Sequence, residues 1–185
     1  MSHGGKSKSQ PRSARVSVVE VKHAKPNRRF RVSSKDGADL WDRPDHALKL
    51  FRKSAYDRVQ IVRSGLPARY VKVLSRYMQI PIEKLYRTAG LARPTIDRKI
   101  RASQRLNPDE SERVMGVARL VGQAQSLMQE SGDTSDFDAG RWVGDWLQRP
   151  LPALGGNSPG ELMDTVDGRA LVSDLLSQQQ SGAYG

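Results

Sequence analysis

The sequence predicts an all-α protein: a bundle holding a helix-turn-helix, then a small second helical module, with a flexible basic extension in front. Three observations predict this. Apolar residues recur at helical spacing from Leu48 to Leu176. Start and stop signals bracket those periodic runs. No strand signal of any strength follows residue 33.

The elements follow in order. Residues 1–15 are Gly, Ser, Lys and Arg with almost nothing to bury, and read as disordered. Val16–Val21 and Phe30–Val32 have the composition of weak strands around a basic loop, and a flexible extension is an equal reading. Asp39–Pro44 reads as a turn. Leu48 with Phe51, and Tyr56 with Val59, are i, i+3 pairs that suit one or two short helices with a break near Ser54. Gly65-Leu66-Pro67 punctuates their end, and Pro67 suits the first turn of the next helix, which carries Val71, Leu74 and Met78. Ile82–Ala89 forms another, opened by Pro81 and Glu83 and stopped by Gly90. Arg93–Arg101 follows after a turn of three residues, and helix, tight Gly turn, helix is the layout of a helix-turn-helix.

Asn107-Pro108-Asp109-Glu110 is an N-cap, a first-position proline and a capping-box Glu, and Val114 to Met128 keep helical spacing to about Gln129. Phe137–Gln148 repeats the pattern with Trp142 and Trp146 at i, i+4, until Arg149-Pro150 stops it. After the Gly/Pro-rich stretch 152–157, Ser158-Pro159-Gly160-Glu161 is a second capping box. A last helix starts near Asp167 and carries Leu171, Leu175 and Leu176. These readings divide the chain into a basic extension at 1–44, a helix-turn-helix domain at 45–106 and a C-terminal domain at 107–185.

Composition limits the chemistry. The 185 residues include no cysteine, so there is no thiolate nucleophile, disulfide or Cys-ligated zinc. His3, His23 and His46 all lie in the first quarter, which leaves the later chain without an imidazole base or ligand. Mean hydropathy is −0.63, and no apolar run approaches the ~20 residues a bilayer span needs. The basic N-terminus lacks the apolar stretch of a secretory signal, so the expectation is a cytoplasmic protein without cofactors.

The net charge is +11. Its distribution says more than its total. Residues 1–35 hold 10 basic and 1 acidic side chains, residues 66–105 hold 10 and 2, and residues 106–185 hold 5 and 12. A basic front and middle fit nucleic acid, whereas an acidic end repels phosphates and calls for a different partner.

A helix-turn-helix reads DNA with the N-terminal part of its second helix. Here that helix offers Arg93, Thr95, Arg98, Lys99 and Arg101. Arginines can grip guanine edges or phosphates. Arg69, Lys72, Arg76, Arg87 and Arg105 are candidates for phosphate contacts. Ile96 and Ile100 face the core. Ala92 stands where a capping Ser, Thr, Asp or Asn is usual. The bland alternative is a basic solvated face on an ordinary bundle.

The acidic end carries no catalytic constellation. Helix capping explains Asp164 and Asp167 more simply than a metal site does. Trp142 and Trp146 read as core, and the glycines of 155–160 lack the strand and the Lys of a phosphate loop. An acidic helical module of this kind suits a protein partner.

Leu151-Pro152-Ala153-Leu154-Gly155-Gly156-Asn157-Ser158-Pro159, followed by Glu161-Leu162-Met163-Asp164-Thr165, resembles the signature of the toxin-binding domain of Xre/MbcA/ParS-type bacterial antitoxins. Gly168, Val172, Leu175, Leu176, Gly182, Ala183 and Tyr184 continue it at the family's spacing, and Trp146-Leu147 before Pro150 resembles the segment ahead of it. Met163 stands where Leu is usual, a volume-conserving swap. The tail reads Ala-Tyr-Gly where the family more often has Val-Tyr-Ala. The likeness covers about residues 50–185 and places an Xre-like helix-turn-helix at 66–101.

The resemblance implies an antitoxin, not an enzyme. It implies a partner toxin of the RES type, which consumes NAD+, bound and occluded by the C-terminal domain. Arg169, Ser181, Gly182, Ala183, Tyr184 and Gly185 are the toxin-binding residues it implies, with Tyr184 and the Gly185 carboxylate blocking the cleft. It further implies operator DNA of the chain's own operon as a second partner, and a homodimer within a toxin–antitoxin hetero-oligomer. From the residues alone, the tail reads as ordinary terminal disorder. The competing function is a stand-alone helix-turn-helix regulator whose C-terminal domain only dimerises.

Overall fold

The computed structural model describes residue 1, residue 41 and residues 45–132 and 137–180. The weak strands expected at 16–21 and 30–32, most of the basic extension and the tail Ser181–Gly185 lie outside the described residues. Eight α-helices are described, here α1 His46–Arg52, α2 Ala55–Ser64, α3 Tyr70–Tyr77, α4 Ile82–Thr88, α5 Arg93–Arg101, α6 Pro108–Glu130, α7 Ala139–Trp146 and α8 Val166–Gln180. Two short 3-10 turns, Pro152–Leu154 and Pro159–Glu161, sit between α7 and α8. No strand occurs among the described residues.

The local signals act as their chemistry requires. Ser54 caps α2 by accepting from Asp57 N–H at 3.1 Å, which makes the break between α1 and α2. Asn107 and Glu110 form the reciprocal capping box of α6, each bond at 2.8 Å. α5 begins at Arg93 without a side-chain cap, as Ala92 dictates. The capping box at Ser158 is also made, yet it closes only a 3-10 turn. It holds the Glu161 carboxyl below its ordinary range, through the Ser158 backbone N–H and then the Ser158 hydroxyl.

α3 starts at Tyr70, three residues past Pro67. The reason is long-range. Leu66 and Ala68 exchange backbone bonds with Leu106 and Gln104 (Leu106 N–H to Leu66 C=O 2.8 Å, Ala68 N–H to Gln104 C=O 3.0 Å). That pairing holds residues 66–68 out of the helix and ties the front of the bundle to the end of α5.

α6 is the centre of the core. Its Val114, Val117, Ala118, Val121 and Ala124 are buried, and α1, α2, α7 and α8 all lie against it. α1 approaches closest. A Cβ at Gly122 would lie 2.2 Å from the Ala47 carbonyl oxygen, so only glycine admits this seat. Trp41, within the stretch assigned from sequence to the basic extension, is buried against Tyr70 with ring centroids 5.0 Å apart. His46 is buried between Tyr70 and Tyr77, at 5.0 and 5.3 Å. The Trp142 and Trp146 rings stack at 5.8 Å, with Trp146 in the core.

Replacing Gly122 with Ala should therefore destabilise the fold by roughly 1–3 kcal/mol through overpacking. Alanine's advantage inside a helix, about 1 kcal/mol, does not offset the clash. The expected reading is a lower urea midpoint at unchanged helix content. An unchanged midpoint would show that α1 is not seated on α6 in this way.

Candidate functional site

The helix-turn-helix is built by a hydrogen-bonded turn and a side-chain latch. α4 ends in a Schellman motif: Leu91 N–H donates to Tyr86 C=O at 2.8 Å and Gly90 N–H to Arg87 C=O at 3.0 Å. Gly90 takes the left-handed backbone that this ending needs, with φ +59°. Across the turn, the Tyr86 hydroxyl donates to Asp97 Oδ1 at 2.6 Å, fixing α5 on α4. Ile96 is buried beneath. The Tyr86 hydroxyl is pushed well above its ordinary value by burial and by the Asp97 bond, while the same bond and Arg93 hold the Asp97 carboxyl below its own.

The five side chains expected to meet DNA do not stand alike. Arg98 and Arg101 are exposed on α5, and Thr95 is half-buried. Arg93 is exposed but lies 3.6 Å from Glu83 and 3.4 Å from Asp97, the two acidic residues of 66–105. Lys99 turns inward, where its ammonium pairs with Glu110 and only 15% of its side chain is exposed. Glu110 thus caps α6 and anchors α5 at once. Arg69, Lys72, Arg76 and Arg87 are exposed, whereas Arg105 donates to the Gly65 carbonyl at 2.7 Å.

The C-terminal module presents α8. Three bonds clamp it to α6: Gln123 Nε2 donates to Ser173 C=O at 2.9 Å and to Ser177 Oγ at 2.8 Å, and Ser173 Oγ donates to Gln123 Oε1 at 2.7 Å. Gln123 is buried, and nothing in its local sequence marks it, because its partners lie some fifty residues away. At the other end of α8, a Cβ on Gly168 would fall 1.8 Å from Leu162 C=O, so the glycine lets the chain turn straight from Thr165 into the helix. Arg169 lies beside this turn. It donates to Met163 C=O at 3.1 Å and lays its stem over Gly116 of α6. The rest of the expected toxin-binding set, residues 181–185, lies outside the described residues.

The two halves touch at the helix-turn-helix turn. Arg113 of α6 donates to Gly90 C=O at 3.0 Å, and Asp164 stands against Gly90.

Comparison with known proteins agrees with this layout. Residues 57–119 match a model described as the antitoxin Xre-like helix-turn-helix domain, and residues 137–182 match the antitoxin Xre/MbcA/ParS C-terminal toxin-binding domain. The chain is 40% identical over 142 residues to a protein of Sphingobium sp. named Prs ADP-ribosylating antitoxin, covering 76% of this chain and 89% of that one. It is 26% identical over 126 residues to an Antitoxin Xre of Yersinia enterocolitica, covering 68% and 80%. With an Antitoxin Xre of Photorhabdus laumondii it shares 24% identity over 122 residues, covering 66% and 77%.

The latch makes a pH prediction. Asp97 has a depressed folded-state pKa, so its contribution is present above the ordinary carboxylate range and is lost as pH falls through the folded value. Tyr86→Phe removes the largest cause of that depression and should weaken the acid-side loss of stability. Urea midpoints for both proteins from pH 6 down to pH about 2.5 test this. Parallel curves would show that the latch is not made in solution.

Proposed function

The chain belongs to the Xre/MbcA/ParS family of antitoxins, with an Xre-like helix-turn-helix and a C-terminal toxin-binding domain, and from that membership we propose how it acts. It neutralises a RES-type, NAD+-consuming toxin by occluding the active site, and as a dimer it represses its own operon. The observation that carries the first half is the clamped α8. A helix fixed to the core by Gln123 runs to Gln180, immediately ahead of the Ser181–Gly185 segment assigned here to the toxin's cleft. Preorganisation of this kind lowers the entropic cost of threading a short segment into a cleft. Tyr184 supplies an aromatic ring to fill a nucleotide site.

The choice of toxin chemistry is supported by the Sphingobium relative, whose name includes ADP-ribosylating. ADP-ribosyl transfer cleaves NAD+, and we assign that reaction to the toxin, since the similar proteins are named antitoxins.

The second half rests on the exposed guanidiniums of α5. Arg98 and Arg101 lead the interface, Thr95 joins them, and Lys72 and Arg76 of α3 supply phosphate contacts. Arg93 plays a smaller part because Glu83 and Asp97 already share its charge. Lys99 is a strut between α5 and α6, not a base reader.

Two variants separate the activities. Deleting residues 181–185 should restore growth arrest in cells co-expressing the toxin, while a gel shift on the chain's own promoter persists. Full neutralisation by the truncated chain would overturn the occlusion reading. Arg98→Ala with Arg101→Ala should weaken promoter binding at least about tenfold and leave neutralisation intact. An unchanged gel shift would move the DNA contacts elsewhere.

A further inference from the structure

A groove of about 710 Å³ opens between α2, α6 and α8. Its floor is apolar, with Val59 and Val62 from α2, Met115 from α6, and Met163 and Val166 from the C-terminal module. Val59 and Val166 are 44% and 67% exposed, so the apolar lining of the groove reaches solvent from both α2 and the start of α8. The charged lining is unbalanced: Arg58, Arg63, Arg119 and Arg169 against Glu112 and Asp174.

Two of the four arginines are held by backbone carbonyls. Arg58 donates to the carbonyls of Phe51 and Lys53, which fixes its guanidinium at the end of α1. Arg169 is fixed by its bond to Met163 C=O. Arg119 is pushed below its ordinary pKa by partial burial and then by the neighbouring Arg58 charge. Like charges crowded at the edge of an apolar floor favour an anionic group that would relieve them.

A second copy is a poor occupant. Groove-to-groove pairing about a two-fold axis would set the arginines of one copy against those of the other. A segment with an apolar face and carboxylates beside it satisfies floor and rim together, as an amphipathic helix does when it lies in a groove.

The geometry points to this groove as the docking site for an acidic, apolar-faced segment of the toxin, so that α2 and the first half of α6, within the matched helix-turn-helix region 57–119, belong to the toxin-binding surface. The inference rests on the antitoxin reading. It deepens that reading, because Arg58, Val59 and Arg119 lie within residues 57–119, outside the matched toxin-binding domain at 137–182.

Calorimetry with the full chain and the protein encoded by the adjoining reading frame tests it. Arg119→Glu should weaken the complex at least about tenfold, as should Val59→Glu, an exposed change that keeps the test open if Arg119→Glu fails to fold. Arg87→Glu, an exposed reversal on α4 outside both the groove and residues 137–182, should bind toxin like the unmodified chain. The unmodified complex should also weaken more steeply with salt than the Arg119→Glu complex. Folded variants that bind as tightly as the unmodified chain would overturn the groove and leave the antitoxin reading standing. Failure of the unmodified chain to bind would overturn both. Altered self-association in ultracentrifugation, with toxin affinity intact, would assign the groove to a second copy and overturn the proposal.

Discussion

Burial of α6 on several faces is the constraint on which the rest of the structure depends. A helix that shows one apolar stripe packs on one neighbour. α6 buries Val114, Val117 and Ala118 together with Leu120, Val121 and Ala124, and even Ser111, Gln123 and Ser126 are covered. It therefore belongs to both halves of the molecule, in contact with α1 and α2 as well as with α7 and α8. Two of the polar side chains buried with it make bonds across the core. Ser111 Oγ accepts from Leu66 N–H at 3.0 Å, and Gln123 clamps α8. Removing such partners would leave buried donors without bonds, at a cost of about 1–3 kcal/mol each. The same residues that hold the core thus set the positions of the helix-turn-helix and of α8.

Local chemistry made much of this legible in the sequence. α5 runs from Arg93 to Arg101 as its flanking Gly turn and periodicity require, and Asn107-Pro108 with Glu110 begins α6. Long-range contacts were not legible. Three helices in a row, α3, α4 and α5, end with a left-handed residue, yet only Gly90 announces it. Gln79 and Ser103 adopt φ +53° and +51° with the same Schellman bonds, because the packed chain holds them there. The delayed start of α3 comes from the 66–68 pairing with 104–106. Trp41 and His46 read as parts of a turn and a short helix, and their burial depends on Tyr70 and Tyr77. The Xre-type signature named the family. It did not reveal that Lys99 would be spent on Glu110.

Charge shows the same limit more sharply. The segment beyond residue 105 is acidic as a sum, with 5 basic and 12 acidic side chains. Of its five arginines, Arg119 and Arg169 line one groove, and Arg58 and Arg63 arrive there from α2. Interaction between charges falls off with distance and with screening, over about 8–10 Å at ordinary ionic strength. Neighbours in space therefore decide the local field, and neighbours in sequence do not. Asp97 and Glu83 make the converse case, since in a strongly basic segment they gather around Arg93 and reduce its reach toward phosphate.

The two halves also meet at the turn of the helix-turn-helix. Gly90, the turn of the helix-turn-helix, accepts a bond from Arg113 through its carbonyl and meets Asp164 of the toxin-domain signature on its other side. Gly160 adds a second junction by donating to Leu147 C=O at 2.8 Å while lying close to Thr88 of α4. Gly160 and Asp164 of the 159–169 segment therefore lie directly against α4 and its closing turn, with no linker between them. Asp164 of the signature is thus packed against the turn of the helix-turn-helix, besides its place in the matched toxin-binding domain.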